Sequence, residues 1–183
     1  MPILPREFYA RDTVTVAREL LGKVLVHGAT AGRIVEVEAY LSEGDLAAHS
    51  ARGITPRTKV IFGPPGHAYV YLIYGMYRCL NIVAEAEGRA GCVLLRALEP
   101  VAGEDVIRQR RRGKGLTNGP GKLTLALGIG SEHYGADITS GELRVEDWPV
   151  EPFEIAVSPR IGITLSKDLP LRFYINGNPH VSG

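Results

Sequence analysis

The spacing of apolar residues changes several times along the chain, and each change marks an element. After Asp12, "TVTVARELLG" repeats apolar residues at three- and four-residue intervals, which predicts a short amphipathic helix. Asp12 serves as its N-cap and Gly22 as its stop. "KVLVH" and "GRIVEVEAYL" shift to an alternation of period two and predict two paired strands. "EGDLAAHSARGITPRTK" holds no period and predicts irregular or briefly helical chain. "YVYLIYGMYRCLNIV" reads as a strand, a turn at Tyr74-Gly75 and a second strand, a β-hairpin with a large ring placed at its tip in water. "GCVLLRALEP" predicts another strand, "GEDVIRQRRR" and "GPGKLTLALGI" two helices, and "GELRVED", "RIGITL" and "LRFYI" three weaker strands. Strands, then helices, then strands again predict an α+β domain with a curved, largely antiparallel sheet.

Length and charge refine this picture. A chain of 183 residues, 45% hydrophobic and 22% charged, fits one domain spanning residues 1–183. No apolar run approaches the roughly 18–20 residues that cross a bilayer, and "MPILPREFYARD" lacks the basic and apolar regions of a secretory signal. Cys79 and Cys92 are the only cysteines and have no metal-type spacing, so a reduced, cytoplasmic setting is expected. The net charge of +1 is unremarkable, but its distribution is not. Val106 to Gly130 contains no acid, whereas Arg108, Arg110, Arg111, Arg112, Lys114 and Lys122 all fall there. Glu132 to Glu154 reverses the balance. Such segregation gives a neutral molecule a basic face, or else a solvated charged helix.

Candidate chemistry begins in "RIVEVEAY". Strict alternation puts Val35, Val37 and Ala39 on one face and Ile34, Glu36, Glu38 and Tyr40 on the other. Two carboxylates on one strand face are ordinarily solvated. Placed beside aromatic rings, one of them becomes a candidate general base, and periodicity alone does not choose between Glu36 and Glu38. His49 is a second candidate, against the reading of a satisfied structural histidine. Asn81, inside an apolar strand, needs hydrogen-bond partners, whether backbone or the edge of a planar ligand. Arg96, flanked by leucines, needs an anion, which a glutamate supplies as well as a phosphate. "NGPGKLTLAL" is not an NTP-binding loop, because Leu116 and Leu123 stand where that motif needs Gly and Ser or Thr. Its glycine-rich turn can still hold a single phosphate at a helix start. No cofactor or metal is expected, since no cluster has ligand spacing.

Taken together, "RIVEVEAYL…AAHS", "TPR", "YVYLIYGMYRCLNI", "CVLLRALEP", "GPGKL" and "PLRFYINGNPHVS" resemble, in order and over nearly the whole chain, the alkyladenine (3-methyladenine, or methylpurine) DNA glycosylase family. The resemblance implies one α+β domain with flanking helices and a protruding hairpin. It implies a monofunctional enzyme that flips damaged purines such as 3-methyladenine, hypoxanthine or ethenoadenine out of duplex DNA and hydrolyses the N-glycosidic bond in base excision repair. A monomer is expected, with damaged duplex DNA as partner and no membrane. By resemblance Glu38 matches the general base, and Tyr40, His49 and Tyr71 the rings that sandwich the purine. Asn81 matches the residue that excludes the 2-amino group of guanine, and Tyr74 the side chain that intercalates where the base has left. Arg96 matches a residue near the attacking water, and Arg57 and Lys122 match contacts to the DNA backbone. Glu36 is left as a structural residue or a charge partner, and Tyr69 and Tyr77 as rings packed in the sheet. The alternative is a scaffold that grips distorted DNA without excision. Departures from the family pattern, namely the longer "IVAEAEGRAGC" connection, Arg78 and His180, leave lesion preference open.

Overall fold

A computed structural model describes all 183 residues. The first elements are α1 (Arg6–Tyr9) and α2 (Thr13–Leu20). In α2 the Asp12 side chain accepts a hydrogen bond from the Thr15 backbone N–H at 2.9 Å, filling one of the open donors of the first turn. Val16, Ala17 and Leu20 are its buried stripe. Gly22 ends it with φ of +83°, a left-handed conformation that a side chain disfavours, and a Cβ there would lie 2.9 Å from the Phe153 ring.

The strands are β1 (Val24–His27), β2 (Thr30–Tyr40), β3 (Ala68–Ile73), β4 (Tyr77–Ala84) and β5 (Gly91–Ala102). Helices α3 (Glu104–Arg110) and α4 (Pro120–Leu127) follow, then β6 (Leu143–Glu146), β7 (Ile155–Ser158) and β8 (Arg172–Ile175). All strand pairs are antiparallel and run in the order β3-β4-β5-β2-β1-β6, with β7 on β8 and β8 on β2. β2 is the axis of this curled half-barrel. One of its edges pairs with β5, and the other pairs first with β1 at Thr30–Arg33 and then with β8 at Glu36–Glu38.

Each sheet face has its own cover. One packs Val37, Ala39, Val70, Leu80, Ile82, Val93 and Leu95 with α2 and α4 into the main core. The other carries a small cluster of Ile61, Tyr69, Val83, Ala90 and Cys92, roofed by short 3-10 turns at His49–Arg52 and Lys59–Phe62. This second face holds the polar residues of the sheet. No helix is long and apolar enough to cross a membrane.

The structure corrects three local expectations. Ile34 does not share a face with Glu36 and Glu38 but joins Val35 in the main core. The register passes from Ile34↔Leu98 to Glu36↔Ala97 to Val37↔Leu95, so Val35 and Arg96 are each left unpaired, as β-bulges. A bulge inserts one residue and resets the alternation. "RIGITL" is not a strand; the strand lies earlier, at Ile155–Ser158. Gly162 at φ +75° and Ser166 at φ +46° turn the chain away from extended geometry. Tyr77 does not pack within the sheet: it is 44% exposed, and its Cβ leaves no room for a side chain at Gly121 of α4.

The hairpin tip matches the pattern. Met76 N–H donates to Ile73 C=O, and both central residues, Tyr74 (φ +52°) and Gly75 (φ +70°), are left-handed. Two such residues define the hairpin turn whose twist suits antiparallel strands. Glycine accepts this freely, but a tyrosine does so at a cost.

Candidate active site

The polar face of β2 opens into a cleft of about 570 Å³. Its strands bring Glu38 and Tyr40 from β2, Tyr69 and Tyr71 from β3, Cys79 and Asn81 from β4, and Cys92, Leu94 and Arg96 from β5. Alternation sends every second residue of each strand to this face. Arg96 keeps step with Leu94 on the cleft side by ordinary alternation, while Ala97 and Leu98 both lie in the core.

Neither carboxylate is solvated; both are fully buried. Glu36 is saturated. Its Oε1 accepts from Arg96 Nε at 2.9 Å, Arg172 Nε at 2.7 Å and Ser182 Oγ at 2.8 Å, and its Oε2 from Ser182 N–H at 2.7 Å. Burial alone would raise its carboxyl, but the bonds from Arg172 and Ser182 and the charge of Arg96 hold it below the usual range. Glu38 has fewer partners and lines the cleft. Its Oε2 accepts from Tyr40 Oη at 2.9 Å. Its Oε1 accepts from Ile161 N–H at 2.8 Å and lies 3.2 Å from Arg96 Nη1. Arg96 therefore bridges the two acids. Of the two carboxylates that periodicity left open, Glu38 lines the cleft and Glu36 does not.

Aromatic groups form the walls. Tyr69 and Tyr71 lie 5.2 Å apart, and His49 meets Tyr71 at 4.7 Å and Tyr69 at 5.9 Å between ring centroids. His49 Nδ1 shares a 2.8 Å hydrogen bond with Tyr69 Oη. Burial, then the charges of Arg57 and Arg52, lowers the His49 pKa, so its ring is neutral at pH 7. The Tyr40 hydroxyl is raised by burial, then by the Glu38 charge, which keeps it protonated and donating. Burial pushes the Cys92 thiol up to about 12. The Asn81 Nδ2 donates to Tyr69 C=O at 3.3 Å, and Cys92 Sγ lies 3.9 Å from its Oδ1. The Asn81 amide is thus clamped from both ends at the cleft edge.

The rim carries the remaining candidates. Tyr74 is 83% exposed on the hairpin tip and borders the cleft mouth with Leu72 and Ile73. The Arg57 guanidinium lies 4.9 Å over the Tyr71 ring. Lys122 does not line the cleft. Its Nζ donates to Asn118 Oδ1, while Pro120, at the start of the same helix, reaches the wall. Eight of the nine residues singled out in the sequence thus surround one cleft. Tyr69 packs in the sheet as expected, within the small cluster, and it also lines the slot, a role that sequence reasoning missed. The same reasoning also missed Asp45, Arg160 and the Ile161 N–H, which no local pattern in "EGDL" or "PRIG" marks. A buried carboxylate held in one orientation beside a slot walled by rings is suited to hydrolysis next to a planar ligand.

The family model for Methylpurine-DNA glycosylase (MPG) matches residues 7–179. The chain belongs to the methylpurine-DNA glycosylase family. A relative from Methanoculleus marisnigri, named "Putative 3-methyladenine DNA glycosylase", is 54% identical over 98% of this chain and 98% of its own. Proteins of the same name from Legionella pneumophila and Chlorobaculum parvum are 51% and 49% identical, over 98% and 100% of this chain and 97% and 91% of theirs. This glycosylase is accordingly an enzyme that acts on DNA.

Proposed function

We propose that this glycosylase excises methylated purines, 3-methyladenine foremost, from duplex DNA, with the damaged nucleotide flipped into the cleft. The observation that carries the reading is Glu38, buried at the floor of an aromatic slot and oriented by Tyr40, Arg96 and Ile161. Water bonds to C1′ of the sugar as the bond from C1′ to the purine nitrogen breaks. Glu38 accepts the water proton, the purine leaves with the electron pair, and an abasic site remains. Positive charge develops on the sugar as the purine departs, and a nearby carboxylate stabilises it.

Tyr40, His49 and Tyr71 hold the flipped base by stacking, which favours an electron-poor, alkylated ring. Hypoxanthine and ethenoadenine fit the same slot as flat purines without a 2-amino group. Asn81 excludes guanine at that position, its amide oriented by the Tyr69 carbonyl and the Cys92 thiol. Tyr74 enters the stack in place of the extruded base, the reason a tyrosine is tolerated in a left-handed turn in water. Arg57 and Lys122 meet backbone phosphates. A neutral His49 can face a cationic base without repulsion. No lysine lines the cleft to form a Schiff base with the sugar, which supports hydrolysis without strand cleavage.

Glu38→Gln tests the reading. Duplexes carrying one defined lesion are incubated with enzyme in excess and scored for alkali-labile abasic sites. Release is expected to fall by about 10²–10⁴-fold with binding retained. Undiminished release by the variant would remove Glu38 from its role.

A further inference from the structure

Beside the cleft, and outside the residues given a chemical role above, lies a buried ion pair between two loops. Asp45 and Arg160 both have fully buried side chains. Arg160 Nη1 donates to Asp45 Oδ2 at 2.6 Å, and Nη2 donates to Oδ1 at 2.8 Å. This two-pronged contact uses both carboxylate oxygens and fixes the relative orientation of the two groups. Asp45 also accepts from the backbone N–H groups of Leu41 and Ala47, which closes its own loop around it. Arg160 Nη1 donates to Ala39 C=O in β2, and Nη2 donates to Ser166 C=O. Its guanidinium lies 4.5 Å over the Tyr40 ring. A further bond, from Leu46 N–H to Ser166 Oγ, joins the same two loops.

The position of this pair relative to the reacting groups gives it significance. Ile161, the residue after Arg160, presents the N–H that binds Glu38 Oε1. Tyr40, under the guanidinium, presents the hydroxyl that binds Glu38 Oε2. The Asp45 loop leads directly into His49, which lines the slot. Two of the three groups that orient Glu38 therefore rest on Arg160, and one wall of the slot rests on Asp45. A buried ion pair is a poor device for stability alone, because desolvating two charges offsets their attraction. Arg160 Nε has no partner within the protein, which adds to that desolvation cost. Geometry is what the pair secures.

We infer that the Asp45–Arg160 pair is a positioning latch for catalysis: it holds the Ile161 N–H and the Tyr40 hydroxyl on the Glu38 carboxylate and ties that arrangement to the His49 side of the base slot. Neither residue touches substrate. The inference rests on the reading of Glu38 as the base. Asp45→Asn keeps the shape of the side chain and removes its charge; Arg160→Lys keeps the charge and removes the two-pronged contact. Displacement of a reacting group by about an ångström costs on the order of 10²-fold in rate. Each variant, and the double variant, is therefore expected to release 3-methyladenine from dimethyl-sulfate-treated duplex DNA about 10–100-fold more slowly in single turnover. The Kd for a duplex bearing a tetrahydrofuran abasic analogue is expected to stay within about threefold of wild type. Because both residues work through one contact, the double variant is expected to be no slower than the worse single one.

Hydrogen exchange at the Ile161 amide gives a readout independent of activity. Its protection is expected to fall at least tenfold in Asp45→Asn and Arg160→Lys. Rates within twofold of wild type, intact Ile161 protection, or a Kd that weakens as much as the rate would each overturn the latch. If the wild-type enzyme released no base, the glycosylase reading of the cleft would fail, and the exchange result would still decide whether the pair holds Ile161. Should Arg160→Lys not fold, the isosteric Asp45→Asn carries the test.

Discussion

Glu36→Gln removes one charge from a fully buried, heavily bonded side chain, and its consequences can be worked out in advance. Glu36 is fully buried and accepts four hydrogen bonds: from Arg96, from Arg172 and two from Ser182. Without its charge, Arg96 retains only Glu38, and Arg172 is left with no carboxylate. Breaking a buried pair from one side costs about 3–5 kcal/mol. For a domain of this size, a melting temperature moves about 2–4 °C per kcal/mol, so the midpoint is expected to drop by about 6–20 °C. The pH dependence has a definite sign. Glu36 has a folded pKa below its ordinary 4.5, so its stabilisation is present in full above that value and is lost as pH falls through the folded pKa. The gap between wild type and variant is therefore expected to be widest near pH 7 and to close below pH 4.5. Urea unfolding across pH 3.5–7.5, with the slope monitored for constancy, measures it. A gap under about 1 kcal/mol at pH 7, or one that persists unchanged to the acid end, would refute the reasoning. Glu38→Gln supplies the contrast: its amide oxygen can still accept from Ile161 and Arg96 keeps its contact with Glu36, so the loss of stability is expected to be smaller than that of Glu36→Gln while excision is lost.

Other outcomes follow from the same geometry. Tyr74→Ser removes an exposed ring, so the melting temperature is expected to hold, while binding to a duplex with an abasic analogue weakens by about 1–3 kcal/mol in a titration; unchanged affinity would place the ring outside the stack. Asn81→Ser is expected to raise release of guanine bases from alkylated DNA, measured by chromatography of freed purines, and an unchanged guanine yield would make the amide purely structural. His49 has a folded pKa below its ordinary 6.5, so the unfolded chain takes up a proton that the folded one refuses. Its contribution to stability is present above about pH 6.5 and is lost as pH falls toward the folded value; His49→Phe is expected to flatten that slope in thermal melts between pH 5 and 7.

Much of this architecture is legible one residue at a time. Asp12 and Gly22 mark the ends of α2 because capping and left-handed geometry are local demands. Asn81 and Arg96 stand out as polar residues inside apolar runs, and both line the cleft between core residues of their own strands, since a strand's period belongs to its own backbone. Alternation failed at Ile34, where the bulge depends on the register with β5, and at "RIGITL", where a partner 115 residues away holds the chain in a loop.

The chain alone therefore determined the order of elements, the faces of the strands and, by resemblance, the family. Only the folded arrangement decided which carboxylate lines the cleft and which is held by four hydrogen bonds away from it, because Arg96, Arg172 and Ser182 reach Glu36 through contacts 60 to 146 residues distant. The same holds for the slot: its rings come from three segments, and Asp45 and Arg160 meet beside it only once the loops close. Local periodicity records what each residue's own backbone requires; charge compensation between distant segments is settled when they pack against each other.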